Sequence, residues 1–268
     1  MSDLHLEAGR QYTTFDLPTR APYLILAGDI GRLADYDLYL DFLRRVGLRL
    51  ATSSEKEPAL SSKLVILHRT RVSPKDLLNI TIPGCTLQSH ILPEACKIVE
   101  AKVNDFRRIQ DWTVDNHNAE HQRDVEWLAA EITSVRGGTE GQRQRICVVT
   151  HHAPTIHGSS KPEHLEHPWS WAFGTDLLGD NGPAALRDVQ WWIFRHTQFT
   201  TSFTQGQVKL VSNQRDDVLP KLPEQDERQI STWHTTLERA RLLGRPERGA
   251  FDVTRVIKIS TLAREDPF

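Results

Sequence analysis

The residues whose side chains could bind a metal or take part in catalysis form four short clusters, each at the end of an apolar run. These clusters are Asp3 with His5, Gly28-Asp29, His151-His152, and His196 with Gln198. Carboxylates and neutral imidazoles are the ligands that zinc and first-row divalent metals take in proteins. A His-His pair alone is a weak signal, because it is about as often an ordinary pair of polar loop residues. The four clusters together indicate a candidate metal site.

Buried strands must position these clusters. Ile146 to Val149 is a β-branched run that ends at His151-His152, and Pro154 then blocks regular structure. Tyr23 to Ala27 precedes Asp29 in the same way, and Trp191 to Phe194 precedes His196. Because α/β sheets place ligands beyond the carboxyl ends of their strands, we expect the clusters to converge on one cavity. The strand that would present Asp3 is nearly absent, since only two residues precede it.

The rest of the chain predicts alternating strands and helices. Strands are predicted over 22–27, 64–67, 80–85, 86–91, 191–194, 200–203, 208–211 and 251–259, with those between 191 and 211 in an antiparallel meander. Helical periodicity covers 35–48 and 104–135, where His117 and His121 are predicted to lie on a solvated polar face. Residues 51–62 are predicted to form a surface linker, and residues 216–249 a mobile insertion. Trp169 and Trp171 suit either a pocket wall or core packing.

Composition excludes several classes of function. The chain has 268 residues and 38% hydrophobic content, which suits one domain spanning 1–268. A net charge of -2, from 33 basic and 35 acidic residues, gives no electrostatic footprint for nucleic acid or an anionic membrane. Three cysteines, Cys85, Cys96 and Cys147, are widely spaced and odd in number, so a disulfide framework is not indicated. With no apolar signal or spanning segment, we expect a soluble, cytoplasmic protein.

The order and spacing of the four clusters resemble the calcineurin-like metallophosphoesterase superfamily. Its signature runs D-x-H, G-D, G-N-H-[ED], a strand-end His, and G-H-x-H. Asp3-Leu4-His5 matches the first motif, Gly28-Asp29 the second, His152-Ala153-Pro154 the fourth, and His196-Thr197-Gln198 part of the fifth. The resemblance implies an α/β fold, a four-layer α-β-β-α sandwich of two mixed sheets flanked by helices.

The resemblance also implies up to two divalent metal ions (Mn, Fe or Zn). Asp3 and His5 would bind one ion, His152 and His196 the other, and Asp29 would bridge them. The implied reaction is in-line attack of metal-bound hydroxide on a small-molecule phosphomonoester or phosphodiester. Asp29 and His151 are the predicted catalytic residues, with His151 beside the substrate, and Gln198 would contribute an amide oxygen to the first ion.

Three departures from the family pattern bear on activity. Nothing between Leu48 and Lys63 reads G-N-H-E, which removes the family's second-metal Asn and its phosphate-contacting His. Arg195 stands where the fifth motif has Gly, and is expected to crowd a tight turn. Gln198 stands where that motif has its second His. The chain is therefore either a degenerate member of the family or a translated sequence that lacks segments its relatives keep.

Two functions follow as competing predictions. The first is a metal-dependent phosphoesterase of reduced activity. The second is a catalytically inactive family member that binds a metabolite or partner through the inherited cleft. A serine or cysteine hydrolase is not favoured, because the sequence has no G-x-S-x-G motif and no cysteine at a strand end beside a histidine.

Overall fold

A computed structural model describes residues 1–18, 20–52, 65–77, 79–139, 144–165, 167–215 and 250–258. Over these residues the fold is mixed α/β. The helices are α1 (Tyr36–Thr52), α2 (Cys96–Lys102), α3 (Asp105–Arg108) and α4 (Val114–Gly137). The strands are β1 (Thr70–Val72), β2 (Ile80–Cys85), β3 (Arg145–Thr150), β4 (Trp191–Ile193), β5 (Thr201–Gln205) and β6 (Val208–Ser212).

Within the described residues, the six strands form one mixed sheet in the order β1-β2-β3-β4-β6-β5. The four central strands are parallel, and β1 and β5 pair antiparallel at the two edges. Cys147 lies opposite Trp191, and Ile193 lies opposite Val211, so β3, β4 and β6 end close to one another. The segments that follow these strands therefore share one edge of the sheet.

Helix α4 covers one face of this sheet. Thr113 caps its first turn, because the Thr113 hydroxyl oxygen accepts the Asn116 N–H at 3.2 Å. Leu128 and Ile132 are fully buried on α4 and pack with alternate residues of the central strands. Those strand residues include Ile146, Val148, Trp192 and Leu210. Period-two alternation along the strands thus builds the larger core.

The other sheet face contacts extended segments from the start of the chain. Ile25 and Ala27 pack with Cys147, Val149 and Ile193 on that face. Leu24 and Leu26, the residues between, pack instead toward Phe42 and Val46 of α1. Backbone hydrogen bonds tie residues 1–6 to residues 25–30, including His5 N–H to Asp29 O at 3.0 Å. A second hydrogen-bonded sheet is not assigned among the described residues.

Several sequence predictions need correction. Residues 22–27, 65–67, 86–91 and 251–258 are not assigned as strands, whereas β1 was not predicted. The predicted meander is wrong in part, since β4 pairs with β6 in parallel and only β5 and β6 form an antiparallel hairpin. The predicted long helix is divided into α3 and α4. The linker predicted over 51–62 begins too early, because α1 continues to Thr52. The rest of that linker and the predicted insertion at 216–249 lie outside the described residues.

Two of the three cysteines are buried and unreactive. Cys85 and Cys147 are buried free thiols, and burial raises the pKa of Cys147 to about 12. The thiolate is the reactive form of cysteine, so Cys147 is chemically inert at neutral pH. No helix in the described part of the chain is both long enough and apolar enough to cross a membrane.

Asp124 of α4 is the polar residue on which we expect the fold to depend most. Its buried carboxylate accepts the Leu87 N–H and the Arg69 Nε–H, each at 2.7 Å. Asp124→Ala is expected to lower the free energy of unfolding by about 3 kcal/mol, because it leaves both donors unsatisfied. Urea unfolding followed by circular dichroism measures the change. The matched control, Asp188→Ala, removes an exposed partner of Arg136 and should cost less than about 1 kcal/mol.

An Asp124→Ala loss no larger than that of the Asp188 control would contradict this account of α4.

Candidate metal centre

Strand β3 delivers His151 and His152 into a loop that is fixed by hydrogen bonds. The backbone N–H groups of both histidines donate to Thr86 O at 3.1 Å. The Thr150 hydroxyl donates to His152 O at 2.8 Å and accepts the Trp192 indole N–H at 2.9 Å. The end of β3 is therefore held by both of its neighbouring strands. This anchoring positions the two imidazoles before any ligand binds.

His151, His152 and His196 form a compact cluster. Their ring centroids lie 4.4 to 4.9 Å apart, and one ligand nitrogen from each residue lies within 4.8 Å of the others. His152 Nδ1 and His196 Nε2 are buried and have no hydrogen-bond partner. Unpartnered buried nitrogens are costly unless a ligand satisfies them. We call these three residues the histidine cluster.

Burial keeps the histidine cluster neutral. Loss of solvation lowers the pKa of His151 and His152 well below the usual histidine value, and lowers that of His196 to about 4. The positive charge of Arg195 lowers the pKa of His151 further. Neutral imidazole is the form that binds metal ions. The donor set and the orphaned nitrogens fit a divalent ion.

Asp3, His5 and Asp29 form a second group of ligand-type atoms within 4.8 Å of one another. We call it the carboxylate cluster. All three residues have positive φ angles, of 49°, 44° and 41°. This region is unusual for residues other than glycine, although Asp and His adopt it more readily than most. Such strained backbone concentrates at functional sites.

Arg195 lies against the carboxylate cluster. Its Nη2 is 2.6 Å from Asp29 Oδ2 and 3.6 Å from Asp3 Oδ1, and its side chain is fully buried. The contact with Asp29 is a short ion pair without hydrogen-bonding angles, since all three guanidinium nitrogens lack a hydrogen-bond partner. Burial raises the pKa of Asp3, and the guanidinium opposes that rise. The two carboxylates thus already face a cation.

The carboxylate cluster therefore fits a metal ion poorly. A divalent ion about 4 Å from a guanidinium is repelled by roughly 8 kcal/mol at an effective dielectric constant near 20. The Nδ1 of His5 also lies 3.1 Å from Glu7 Oε1. The predicted ligand roles of Asp3 and His5 stay predictions, and Arg195 argues against them.

The structure brings most of the predicted site residues together. Asp29 connects the two clusters, because its Oδ2 lies 4.0 Å from His151 Nε2. Gln198 is exposed near His196, where its backbone N–H donates to Gln214 Oε1 at 2.6 Å. Whether Gln198 supplies an oxygen ligand stays a prediction. Arg195 does not crowd a tight turn as expected, because the positive φ falls on His196, at 72°.

A cavity of about 250 Å³ adjoins the histidine cluster through His196. Its wall includes His164, His167, Trp169 and Phe173. The His167 and Trp169 rings stack at 4.6 Å, which gives the cavity a flat aromatic side. Trp169 therefore forms part of a pocket wall. An aromatic wall suits an apolar or planar substituent of a ligand.

The prediction that His117 and His121 lie on a solvated face is wrong. They are 2% and 5% exposed. They share a stripe of α4 with Val114, Val125 and Leu128, at helical spacing. The His117 ring packs edge-on against His152 at 5.8 Å. This contact between His117 and His152 was not predicted from the sequence. The helical spacing of His117 and His121 with Val114, Val125 and Leu128 nevertheless indicates that they lie on the buried face of α4.

His117 should make stability sensitive to acid. Burial foremost, and then the charge of His121, lower the pKa of His117 from 6.5 to about 4. The unfolded chain therefore binds the proton first as pH falls, so the free energy of unfolding declines from pH 6.5 down to about pH 4. The decline from this residue should reach about 3 kcal/mol. Urea titrations of metal-free protein across this range measure it.

His117→Gln keeps a polar side chain without the titration, so its stability should fall less over the same pH range. An identical pH dependence in wild type and His117→Gln would contradict the assignment.

Comparison with known proteins leaves the family open. No protein family model and no curated protein matches the sequence. The crystal structure of phosphopantetheinyl hydrolase (PptH) from Mycobacterium tuberculosis is similar at 16% identity and a TM-score of 0.49. The match covers 80% of this chain and 88% of that chain. A likeness this distant carries no conclusion about function.

Proposed function

We propose that this protein is a metal-dependent phosphoesterase that hydrolyses a small-molecule phosphomonoester or phosphodiester, with reduced activity. One observation carries the proposal. Ligand-type side chains from four separate segments converge on one place, and two buried imidazole nitrogens there lack any partner. These segments contain Asp3 and His5, Asp29, His151 and His152, and His196. They are also the positions that resemble the calcineurin-like superfamily.

His152 and His196 would hold the ion, with Asp29 as the adjacent carboxylate. A bound divalent ion supplies charge for the phosphoryl oxygens and lowers the pKa of water. Manganese, iron and zinc all suit a ligand set of imidazole and carboxylate. The anchoring of His152 through Thr150 keeps the ligand geometry fixed.

His151 and Asp29 would act directly on the substrate side. His151 keeps 18% of its side chain exposed, and the Asp29 side chain is 41% exposed. A neutral imidazole donates one hydrogen bond and accepts another, so His151 can orient a phosphoryl oxygen and the attacking water. Asp29, beside the ion, can accept a hydrogen bond from that water. The substituent of the ester would occupy the cavity beside Trp169.

We further propose the four-layer sandwich as the complete architecture. The period-two alternation of residues 24–27, between the sheet and α1, supports a second layer of extended chain. A cytoplasmic location and a lack of nucleic-acid or membrane partners are proposed from the near-neutral charge and the unpaired cysteines.

The second candidate function is an inactive binding protein that keeps the cleft. Arg195 favours it, because the guanidinium neutralises carboxylates that the active family uses for metal. Under this hypothesis, the cavity beside His167 and Trp169 binds a metabolite without turnover. Catalysis separates the two candidates.

The test is hydrolysis of p-nitrophenyl phosphate and bis(p-nitrophenyl) phosphate with Mn²⁺. We expect turnover that EDTA abolishes, and an Asp29→Asn variant slower by about 100-fold or more, because it loses the charged carboxylate beside the ion and loss of a supporting residue alone costs 10–100-fold. An Asp176→Asn variant changes a carboxylate outside both clusters and serves as a matched control. Absence of turnover would leave the inactive binding protein as the better account, and turnover indifferent to Asp29 would contradict hydrolysis at this site.

A further inference from the structure

Arg195 lies against two carboxylates, the buried Asp3 and the partly exposed Asp29, and the proposed reaction gives no role to Arg195 or Asp3. Arg195 Nη2 lies 2.6 Å from Asp29 Oδ2 and 3.6 Å from Asp3 Oδ1. Asp3 is 2% exposed and Arg195 is 0% exposed. One guanidinium therefore sits against the same pair of oxygens that would hold a divalent ion. Two cations cannot share those oxygens without strong repulsion.

We propose that the Arg195 guanidinium replaces one of the two metal ions, so that this protein binds a single divalent ion, at the histidine cluster. The inference rests on the proposed function and narrows its metal requirement. Arg195 is a positioning residue here. Its buried side chain holds Asp3 and Asp29 in place and does not touch the substrate.

The fold makes room for this guanidinium. The backbone N–H of Arg195 donates to the backbone carbonyl of His151 at 3.0 Å, just after the end of β4. This hydrogen bond fixes the backbone from which the Arg195 side chain extends inward. Gly28 faces it with φ of 101°, and a Cβ atom there would lie 2.7 Å from Arg195 Nη1. The absence of a side chain at Gly28 thus forms part of the guanidinium pocket. A long cationic side chain fills the space beside Asp29 that an ion would need.

The histidine cluster keeps its capacity for metal. His152 Nδ1 and His196 Nε2 are buried and have no hydrogen-bond partner. The ring centroids of these two residues are 4.4 Å apart. Asp29 has two carboxylate oxygens, of which Oδ2 pairs with Arg195. The other oxygen remains available to an ion at this cluster. The site then contains one built-in cation, the Arg195 guanidinium, and one bound divalent ion.

Metal stoichiometry tests the proposal. Purified chain is loaded with Zn²⁺ or Mn²⁺, separated from free metal, and measured by inductively coupled plasma mass spectrometry. We expect one ion per chain in wild type and in Asp3→Asn, and less than about 0.2 in His152→Ala. Two ions or none in wild type would overturn the inference. Loss of the ion in Asp3→Asn with retention in His152→Ala would also overturn it.

Substitution at Arg195 tests the cause. Arg195→Gly should bind a second ion, and the double variant Asp3→Asn/Arg195→Gly should return to one. Arg195→Lys keeps a cation and should stay at one. A folded Arg195→Gly protein with a single ion would contradict the proposal, and if that variant does not fold, the wild-type and Asp3→Asn counts decide. One ion without turnover would refute only the proposed function, whereas turnover with two ions would refute only this inference.

Discussion

Replacing His152 by alanine is expected to weaken Zn²⁺ binding by at least about 100-fold, because loss of a partner that merely supports a metal ligand already costs 10–100-fold. His152 is 1% exposed, and its Nδ1 has no partner in the protein. Removing the ring therefore leaves the ion without one of its fixed ligands. Isothermal titration calorimetry with Zn²⁺ measures the change.

His151→Ala is the matched control for that measurement. His151 is the more exposed ring, and His152, His196 and Asp29 would still surround the ion. We expect a loss of affinity below about tenfold, together with a larger loss of turnover, because the ring positions substrate and water. The reverse ranking of the two variants would contradict the assignment of His152 as ligand.

The positions of His151, His152 and His196 could be predicted because these residues follow recognisable strands. The β-branched run before His151 forms β3, and Trp191–Ile193 forms β4 before His196. Gly28 precedes Asp29 with a positive φ that only glycine adopts freely. Such features can be recognised in a sequence because they depend only on neighbouring residues. The meeting of His151 and His152 with His196 then follows from the parallel pairing of β3 and β4.

Strand partners were less predictable. Strand β5, with Ser202 and Thr204 exposed, lies at the sheet edge, whereas β6 is almost wholly buried in the interior. Gly206, with φ of 60°, closes the hairpin between them. Because the hairpin places β5 outside, β6 is left to pair with β4 in parallel. A polar edge strand beside an apolar inner strand was the available signal, but pairing depends on distant residues that a local pattern does not contain.

The direction of the Arg195 side chain was not predictable from the sequence. An arginine in place of glycine suggested only steric crowding. Its burial depends on Gly28, on the His151 carbonyl and on two carboxylates that come from remote parts of the chain. Each of these residues lies more than forty positions from Arg195 in the sequence. Only the folded structure shows the Arg195 guanidinium beside the two carboxylates, where we propose that it replaces a metal ion.

Rebuilding the fifth motif with Arg195→Gly and Gln198→His should make stability strongly dependent on metal. Without metal, the variant loses the cation that faces buried Asp3, which should cost about 3 kcal/mol or more and lower the melting temperature by roughly 6–12 °C. With Mn²⁺ at about 1,000 times its Kd, binding returns about 4 kcal/mol for the second ion. The metal-induced rise in melting temperature should therefore exceed that of wild type by roughly 10 °C.

Differential scanning fluorimetry with EDTA or Mn²⁺ measures both arms of this prediction, with Gln198→His alone as the control. That single variant keeps the guanidinium against Asp3 and Asp29, so its melting temperature in EDTA and its response to Mn²⁺ should both match those of wild type. The phosphoesterase rate of the double variant should rise together with its metal-induced shift, since both follow from an ion held by the freed carboxylates. A double variant that is as stable as wild type in EDTA and no more responsive to Mn²⁺ would show that Arg195 carries no charge-balancing role, because removing a needed buried cation must leave Asp3 uncompensated.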